Sequence, residues 1–378
     1  LFACLTVVRA LARALSCPPV WAQLVYLAMT CAFMDGGNLT EEYTNLPTLL
    51  ALYMALVFVL DPVMLYHAPW FGLKAQNGTS RYNNYGIARH MEFDSVILGA
   101  STFRYAKTSD YNALYDANAA RIVFIAGYYR EQSDWLRFAF EKKDTLKNVF
   151  WALDAQGILM GKDDYHYDGI PTYLYDDNLL NDVNYWFNKD MFPWMLRMVL
   201  NHTPLDFDSS DFRDPTGIEA IRAVYQRPET VAEPLPLDEA FVETVTGNVQ
   251  QNIVEIVAAH PETQFTIVFP PVDMFYWDGV IRRGELDRVL EAERSIFEAL
   301  APHENVRVFS FFDDAEIATN FDLYSDTVHF LPEINTEIFE MTVAGEYQLT
   351  VENVDARIAV QRAMIEGYDY TALFASKA

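Results

Sequence analysis

Five short apolar runs, spaced along most of the chain and separated by stretches of a different period, constrain the fold more than any other feature. They are Ser95–Leu98, Arg121–Ala126, Asn148–Leu153, Gln264–Phe269 and Asn305–Phe311. Each is rich in β-branched or aromatic residues and too short for a stable helix. Between them, Glu131–Lys142, Leu237–Ala259 and Gly284–Leu300 carry helical periodicity. Apolar strands alternating with amphipathic helices predict βαβ units, hence an α/β domain on a doubly wound parallel sheet flanked by helices. No internal repeat or low-complexity segment is visible. Open sheets of this kind place their chemistry beyond the carboxyl ends of the strands, so the residues just after each run matter most.

At 378 residues the chain has room for one large domain and an appendage, and 51% hydrophobic content excludes general disorder. The net charge of −26 is uneven. Residues 1–80 hold only three of the 27 basic residues (Arg9, Arg13, Lys74) and four of the 53 acidic ones (Asp35, Glu41, Glu42, Asp61). The acidic remainder repels phosphate backbones and excludes nucleic acid as a partner. Cys4, Cys17 and Cys31 all fall in the apolar beginning, so the rest has neither a disulfide framework nor a cysteine metal site. Sequons at Asn38, Asn77 and Asn201 then read as chance. Residues 1–73 are expected to form a membrane-anchor region. Its best span is about 46–66, around "LLALYMALVFVL", and a weaker run at about 16–34 is interrupted by Pro18-Pro19. Arg9 and Arg13 favour an inside N-terminus; one span would then place the large domain outside, whereas two would return it to the cytoplasm. Residues 74–93 read as linker and entry, and 94–378 as the α/β domain, with an aromatic-rich insertion at about 156–236.

The stretch "DSVILGASTFRYA" ends its strand on Gly99-Ala100-Ser101. Ser101 is either an inert turn serine or a nucleophile displayed at a strand's carboxyl end. A serine hydroxyl becomes nucleophilic when a histidine takes its proton, and that histidine needs a carboxylate to set its tautomer. Two histidines follow an Asp by three residues: "DDYH" (Asp163, His166) and "DTVH" (Asp326, His329). Asp326 and His329 follow the last strand; the other pair opens the insertion among further acids. His166 with Asp163, Asp164 and Asp168 is either a solvated acidic loop or a metal cluster, the latter requiring convergence in space. "GILMGKDD" is not a phosphate loop, because its glycines are one residue too close and Asp163 replaces the Ser/Thr. Phe275, Tyr276 and Trp277 follow the fourth strand and either line the mouth of a site or cap the core.

"VILGAS", the Gly127 of "FIAGYYREQ" and the late "DTVH" together resemble the SGNH/GDSL hydrolase superfamily, over about 94–350. More narrowly, "YNNYGIARHMEFDSVILGAS", "YLYDDNLLND", "HFLPEINTEIFEM" and "DPVMLYHAPWF" resemble membrane-anchored bacterial members of it. Those are distantly akin to the teichoic-acid D-alanyl-transfer protein and to alginate O-acetylation proteins. The resemblance implies an SGNH-type fold with Ser101 as nucleophile, His329 as general base and Asp326 as its orienter. The N–H groups of Ser101 and Gly127 would form the oxyanion hole. It further implies a single-pass anchor in a bacterial cytoplasmic membrane, the domain on the outer side, and an acyl ester of a cell-envelope glycan as substrate, with no metal or organic cofactor. Two positions depart from the pattern. Ala100 stands where the better-known motif has Asp, and Asp154 lies near the place of the oxyanion Asn. An ionised carboxylate cannot donate, so Asp154 is protonated, another donor fills the hole, or Asp154 holds a loop. The rival reading is a catalytically inactive, membrane-tethered binding or scaffold protein that recognises its partner through the aromatic insertion at Tyr173, Tyr175 and Trp186.

Overall fold

The computed structural model describes residues 39–78, 80–143, 146–209 and 211–374. Cys4, Cys17, Cys31, both early arginines and the 16–34 run lie outside the described residues. The helices of eight or more described residues are, in chain order, α1 (Leu39–Leu60), α2 (Ser80–His90), α3 (Thr108–Tyr115), α4 (Tyr129–Lys142), α5 (Met191–Leu200), α6 (Glu239–Val249), α7 (Met274–Arg282), α8 (Leu286–Leu300), α9 (Pro332–Ala344) and α10 (Val354–Gly367). The described residues divide into two compact units, those of 39–92 with 169–206, and those of 93–168 with 207–374. The stretch read as one insertion, 156–236, is thereby shared between them.

The second unit carries a six-stranded, mostly parallel sheet flanked by helices. Its strands are β1 (Ser95–Gly99), β2 (Ala119–Val123), β3 (Asn148–Ala152), β4 (Gln264–Phe269), β5 (Val306–Ser310) and β6 (Gln348–Leu349), in the order β2-β1-β3-β4-β5-β6. Only β6 is antiparallel. All five residues of β1 are buried, as are the last four of β3 and the last five of β4. Burial of successive residues on both faces is what a helix-covered parallel sheet demands, and it explains why these strands read as continuous apolar runs.

β2 begins two residues earlier than its apolar window predicts and stops at Val123. Pairing with β1 runs from Ala119 opposite Ser95 to Val123 opposite Gly99. Phe124 then donates its N–H to Gly99 O at 3.0 Å, and the chain turns away with Ala126 at φ +52°. The 237–259 helix is likewise not continuous, because a π-turn at Gln250–Val254 follows α6. Asn252 reaches out of that turn to Asn248 Oδ1 at 2.8 Å and to Lys162 O at 2.9 Å, while Ser133 donates to Asn252 Oδ1 at 3.0 Å. Side chains that claim such partners favour a local rewinding of the helix.

In the first unit, the expected 46–66 span is helical only as far as Leu60. Asp61 takes φ +40°, and its buried carboxylate accepts N–H bonds from Leu65, Tyr66 and His67 and the hydroxyl of Tyr185. A carboxylate that gathers four donors ends the helix and folds the chain back. Among the described residues no helix is long and apolar enough to cross a membrane. The aromatics assigned to a recognition surface have another use here. Tyr173, Tyr175 and Trp186 pack against a core of Val57, Leu60, Tyr185 and Met195, and Tyr175 stacks on Tyr85 at 3.6 Å.

Candidate active site

β1 delivers Ser101 to the carboxyl edge of the sheet. Ala100 is still extended, and the chain then tightens into a 3-10 turn over Ser101–Phe103, closed by Phe103 N–H to Ala100 O at 3.3 Å and Arg104 N–H to Ser101 O at 3.2 Å. Phe103 is fully buried and packs on Phe150 and Phe339, which anchors the turn and leaves Ser101 half-buried at its rim.

Beyond β5, the segment "SDTVHF" closes on itself. Tyr324 and Phe330 form an antiparallel bridge, and Ser325 donates its N–H to His329 O at 2.9 Å. Inside this loop Asp326 Oδ1 accepts the N–H groups of Val328 (3.0 Å) and His329 (2.9 Å), and Oδ2 lies 2.6 Å from His329 Nδ1. The three-residue spacing thus lets one carboxylate cap the turn and hold the imidazole at once. Burial alone would raise the Asp326 pKa. The hydrogen bond and charge of His329, with the two backbone donors, outweigh it and hold the carboxyl below its ordinary value. An ionised neighbour makes Nδ1 the protonated nitrogen, leaving Nε2 as the acceptor. His329 Nε2 lies 2.7 Å from Ser101 Oγ. The structure therefore brings Ser101, His329 and Asp326 together as two hydrogen bonds in series.

Asp154 lies at the end of β3 and is only 7% exposed. It accepts the hydroxyl of Thr102, the residue after Ser101, and a backbone N–H from Ala100, the residue before it. Burial pushes its carboxyl up to about 6, against the opposing pull of Thr102, the charge of His329 and the Ala100 N–H. The Asp154 carbonyl accepts the hydroxyl of buried Tyr129 at 3.1 Å. Asp154 thus grips both flanks of Ser101 rather than offering a donor.

Several expected site residues are placed differently. The N–H of Gly127 donates to Phe124 O at 2.7 Å, closing the turn that carries Ala126 in the left-handed region, so that donor is already engaged. Phe275 and Trp277 are fully buried in α7. Phe275 packs on Tyr225, Phe321 and Phe374, Trp277 on Phe312, and Tyr276 lies against Trp277. Asp273 begins α7 as its cap, its side-chain oxygen accepting Tyr276 N–H at 2.9 Å, so these aromatics fall in the first turn of a helix packed on the core. His166, Asp163, Asp164 and Asp168 are exposed. His166 Nδ1 lies 3.1 Å from Tyr128 Oη, and Asp163 pairs with Arg130 at 3.4 Å. Among the described residues no three His, Cys, Asp or Glu side chains converge in a way that could hold a metal ion.

A small pocket opens beside Ser101. Thr102 borders it from the same turn, Asp154, Ala155 and Gln156 from beyond β3, Pro270 and Val272 from beyond β4, and Val328 from the His329 loop. Thr102 and Gln156 belong to no motif, and their only signal in the sequence is closeness to Ser101 and Asp154.

No protein-family model and no curated protein matches the chain. Among solved structures, a provisionally named platelet activating factor from Streptococcus pneumoniae is similar at 9% identity and a TM-score of 0.39, the match covering 79% of this chain and 97% of that one. The C-terminal catalytic domain of Streptococcus pneumoniae peptidoglycan O-acetyltransferase A, with a methylsulfonyl adduct, matches at 9% identity and a TM-score of 0.29, over 69% of this chain and 94% of its own. Likeness at that level carries no argument about activity, and the functional reading rests on the geometry of the site.

Proposed function

We propose that the second unit is an SGNH-type serine acyl hydrolase or O-acyltransferase, acting on an ester of a cell-envelope glycan or related polymer. The observation that carries this reading is the 2.7 Å approach of His329 Nε2 to Ser101 Oγ, with Asp326 Oδ2 2.6 Å behind Nδ1. His329 takes the Ser101 proton as Oγ attacks the ester carbonyl, and the carbonyl π-electrons pass to its oxygen. In this reading the Ser101 N–H, which opens a tight turn whose first donors have no partner within it, donates to that oxyanion. Collapse expels the alcohol, which takes the proton from His329, and leaves an acyl-Ser101. Water or a sugar hydroxyl, deprotonated by His329, then attacks the acyl-Ser101 carbonyl; the acyl–Oγ bond breaks, and Ser101 Oγ takes the proton back from His329. Asp326 stays ionised throughout and stabilises the imidazolium. The sequence resemblance supports the envelope glycan as substrate and a membrane-attached setting outside the cytoplasm.

Covalent labelling of the full chain with a fluorophosphonate tests this. A single adduct on Ser101, absent in Ser101→Ala and formed at least 100-fold more slowly in His329→Ala, is the expected result. No adduct on folded wild-type protein refutes the assignment and favours the inactive binding protein.

A further inference from the structure

Developing negative charge on a carbonyl oxygen needs preorganised donors, and one lost donor costs about 10²–10³-fold in rate. Few residues of the pocket beside Ser101 have a side-chain proton to offer. Thr102 spends its hydroxyl proton on Asp154. Asp154 is an acceptor when ionised, and its partners already flank Ser101. Gly127 N–H is held by Phe124 O. Ala155, Pro270, Val272 and Val328 carry no polar side-chain atom. Among the described lining residues, Gln156 alone has a side-chain amide, and it is exposed.

The turn under Gln156 is held unusually firmly for one that carries an exposed side chain. Gly157 donates its N–H to Asp154 O at 2.9 Å, and Asn248 Nδ2 donates to Gly157 O at 3.3 Å. Tyr129, fully buried, donates to Asp154 O and presses on the turn so closely that a Cβ at Gly157 would come within 2.5 Å of its ring. The backbone of the turn is thereby fixed, and Gln156 borders the pocket from it. A fixed backbone limits the positions that a side-chain donor built on it can reach, which an electrostatic donor needs and a solvated glutamine does not.

We propose that the Gln156 side-chain amide donates to the oxyanion formed when Ser101 attacks its ester, beside the Ser101 N–H. This inference rests on the serine acyl chemistry proposed above. Gln156 does the work that a carboxylate at Asp154 cannot do, from two residues further along the same turn.

The test measures the second-order rate of Ser101 modification by diisopropyl fluorophosphate, and kcat and KM for p-nitrophenyl acetate. It uses the full chain as wild type, Gln156→Ala and Gln156→Glu, with Ser101→Ala as the blank. Both Gln156 variants are expected to react about 100-fold more slowly at neutral pH, since neither side chain then offers a proton. The loss should fall on kcat, with KM within threefold of wild type and the unfolding midpoint unchanged, because Gln156 is exposed. A Gln156→Ala protein within threefold of wild type in both assays overturns the proposal and leaves the serine chemistry standing. A wild type that forms no Ser101 adduct overturns the serine chemistry itself.

Discussion

Asp154→Asn removes a charge from a place where the fold resists carrying one. In the folded protein burial raises the Asp154 carboxyl to about 6, against 3.8 for the free group. Between about pH 4 and 6 the folded state therefore keeps a proton that the unfolded chain has released. Stability contributed by the protonated form is fully present below pH 4, is lost as pH rises through that window, and is gone above it. A shift of about two units corresponds to ~3 kcal/mol at 1.36 kcal/mol per unit. Asn has no proton to lose, so the variant's stability relative to wild type should climb by about 1.4 kcal/mol per pH unit from pH 4 and level off near +3 kcal/mol above pH 6. The Asn carbonyl oxygen can still accept the Thr102 hydroxyl, and any change in that bond is an offset that cancels from the pH dependence. Urea unfolding at five pH values between 4 and 8 measures the difference. A gap between variant and wild type that stays flat across this range, or narrows as pH rises, would falsify the account of Asp154 as a buried, charge-strained carboxylate.

Asp273→Asn should behave similarly but level off later. Burial raises Asp273 to about 8, opposed by the capping N–H groups of Tyr276 and Phe275 and assisted by the charge of Asp326. Its advantage over wild type should keep growing between pH 6 and 8, where the Asp154→Asn curve is already flat, and coincident plateaus in urea unfolding would contradict this. Asp326→Asn preserves an acceptor for the Val328 and His329 N–H groups but sets an amide against His329 Nδ1. That favours the tautomer with Nε2 protonated, so fluorophosphonate labelling of Ser101 should slow by roughly 10³–10⁴-fold with far-UV circular dichroism unchanged; a loss below tenfold would count against it. Gly157→Ala drives a Cβ to within 2.5 Å of the Tyr129 ring, which is fully buried and has nowhere to go. The expected cost is about 1–3 kcal/mol, read as a lowered urea midpoint, and an unchanged midpoint would show that the turn yields.

Strands β1, β3 and β4 were legible because their burial is nearly continuous, so apolar runs and strand limits nearly coincide. β2 was misplaced for a reason the pattern cannot contain. "FIA" at 124–126 is as apolar as the strand itself, but Phe124 bonds to Gly99 O and the chain leaves the sheet there. The helical run at 46–60 was legible as apolar, whereas its end was set by Asp61, a single acid whose carboxylate finds Leu65, Tyr66, His67 and the distant Tyr185. The burial of Phe275 and Trp277 could have been foreseen. Asp273 stands immediately before "MFYW", which is the composition of a helix N-cap followed by an apolar face.

The candidate site divides along the same line between local and distant contacts. Asp326 and His329 are linked by a spacing that builds its own turn, so their partnership is written into four consecutive residues. Ser101 and His329 are 228 residues apart and meet because parallel strands deliver both to one edge of the sheet. Order along the chain and the family resemblance suggested the pair, but the approach of one side chain to the other comes from the fold alone. The donors facing the oxyanion follow neither rule. Whether a residue just past a strand offers its proton to a substrate depends on which neighbours have already claimed it, and those neighbours are fixed only by the packed structure. Gly127 stands in the right order, but its N–H is taken by Phe124 O; Asp154 stands near the expected place, but its carboxyl accepts from the Thr102 hydroxyl and the Ala100 N–H and offers no donor. Gln156 stands two residues later on a turn fastened by Tyr129 and Asn248, and it lines the pocket beside Ser101. A search by motif position finds the first two and passes over the third. Accounting for each polar proton reverses that order.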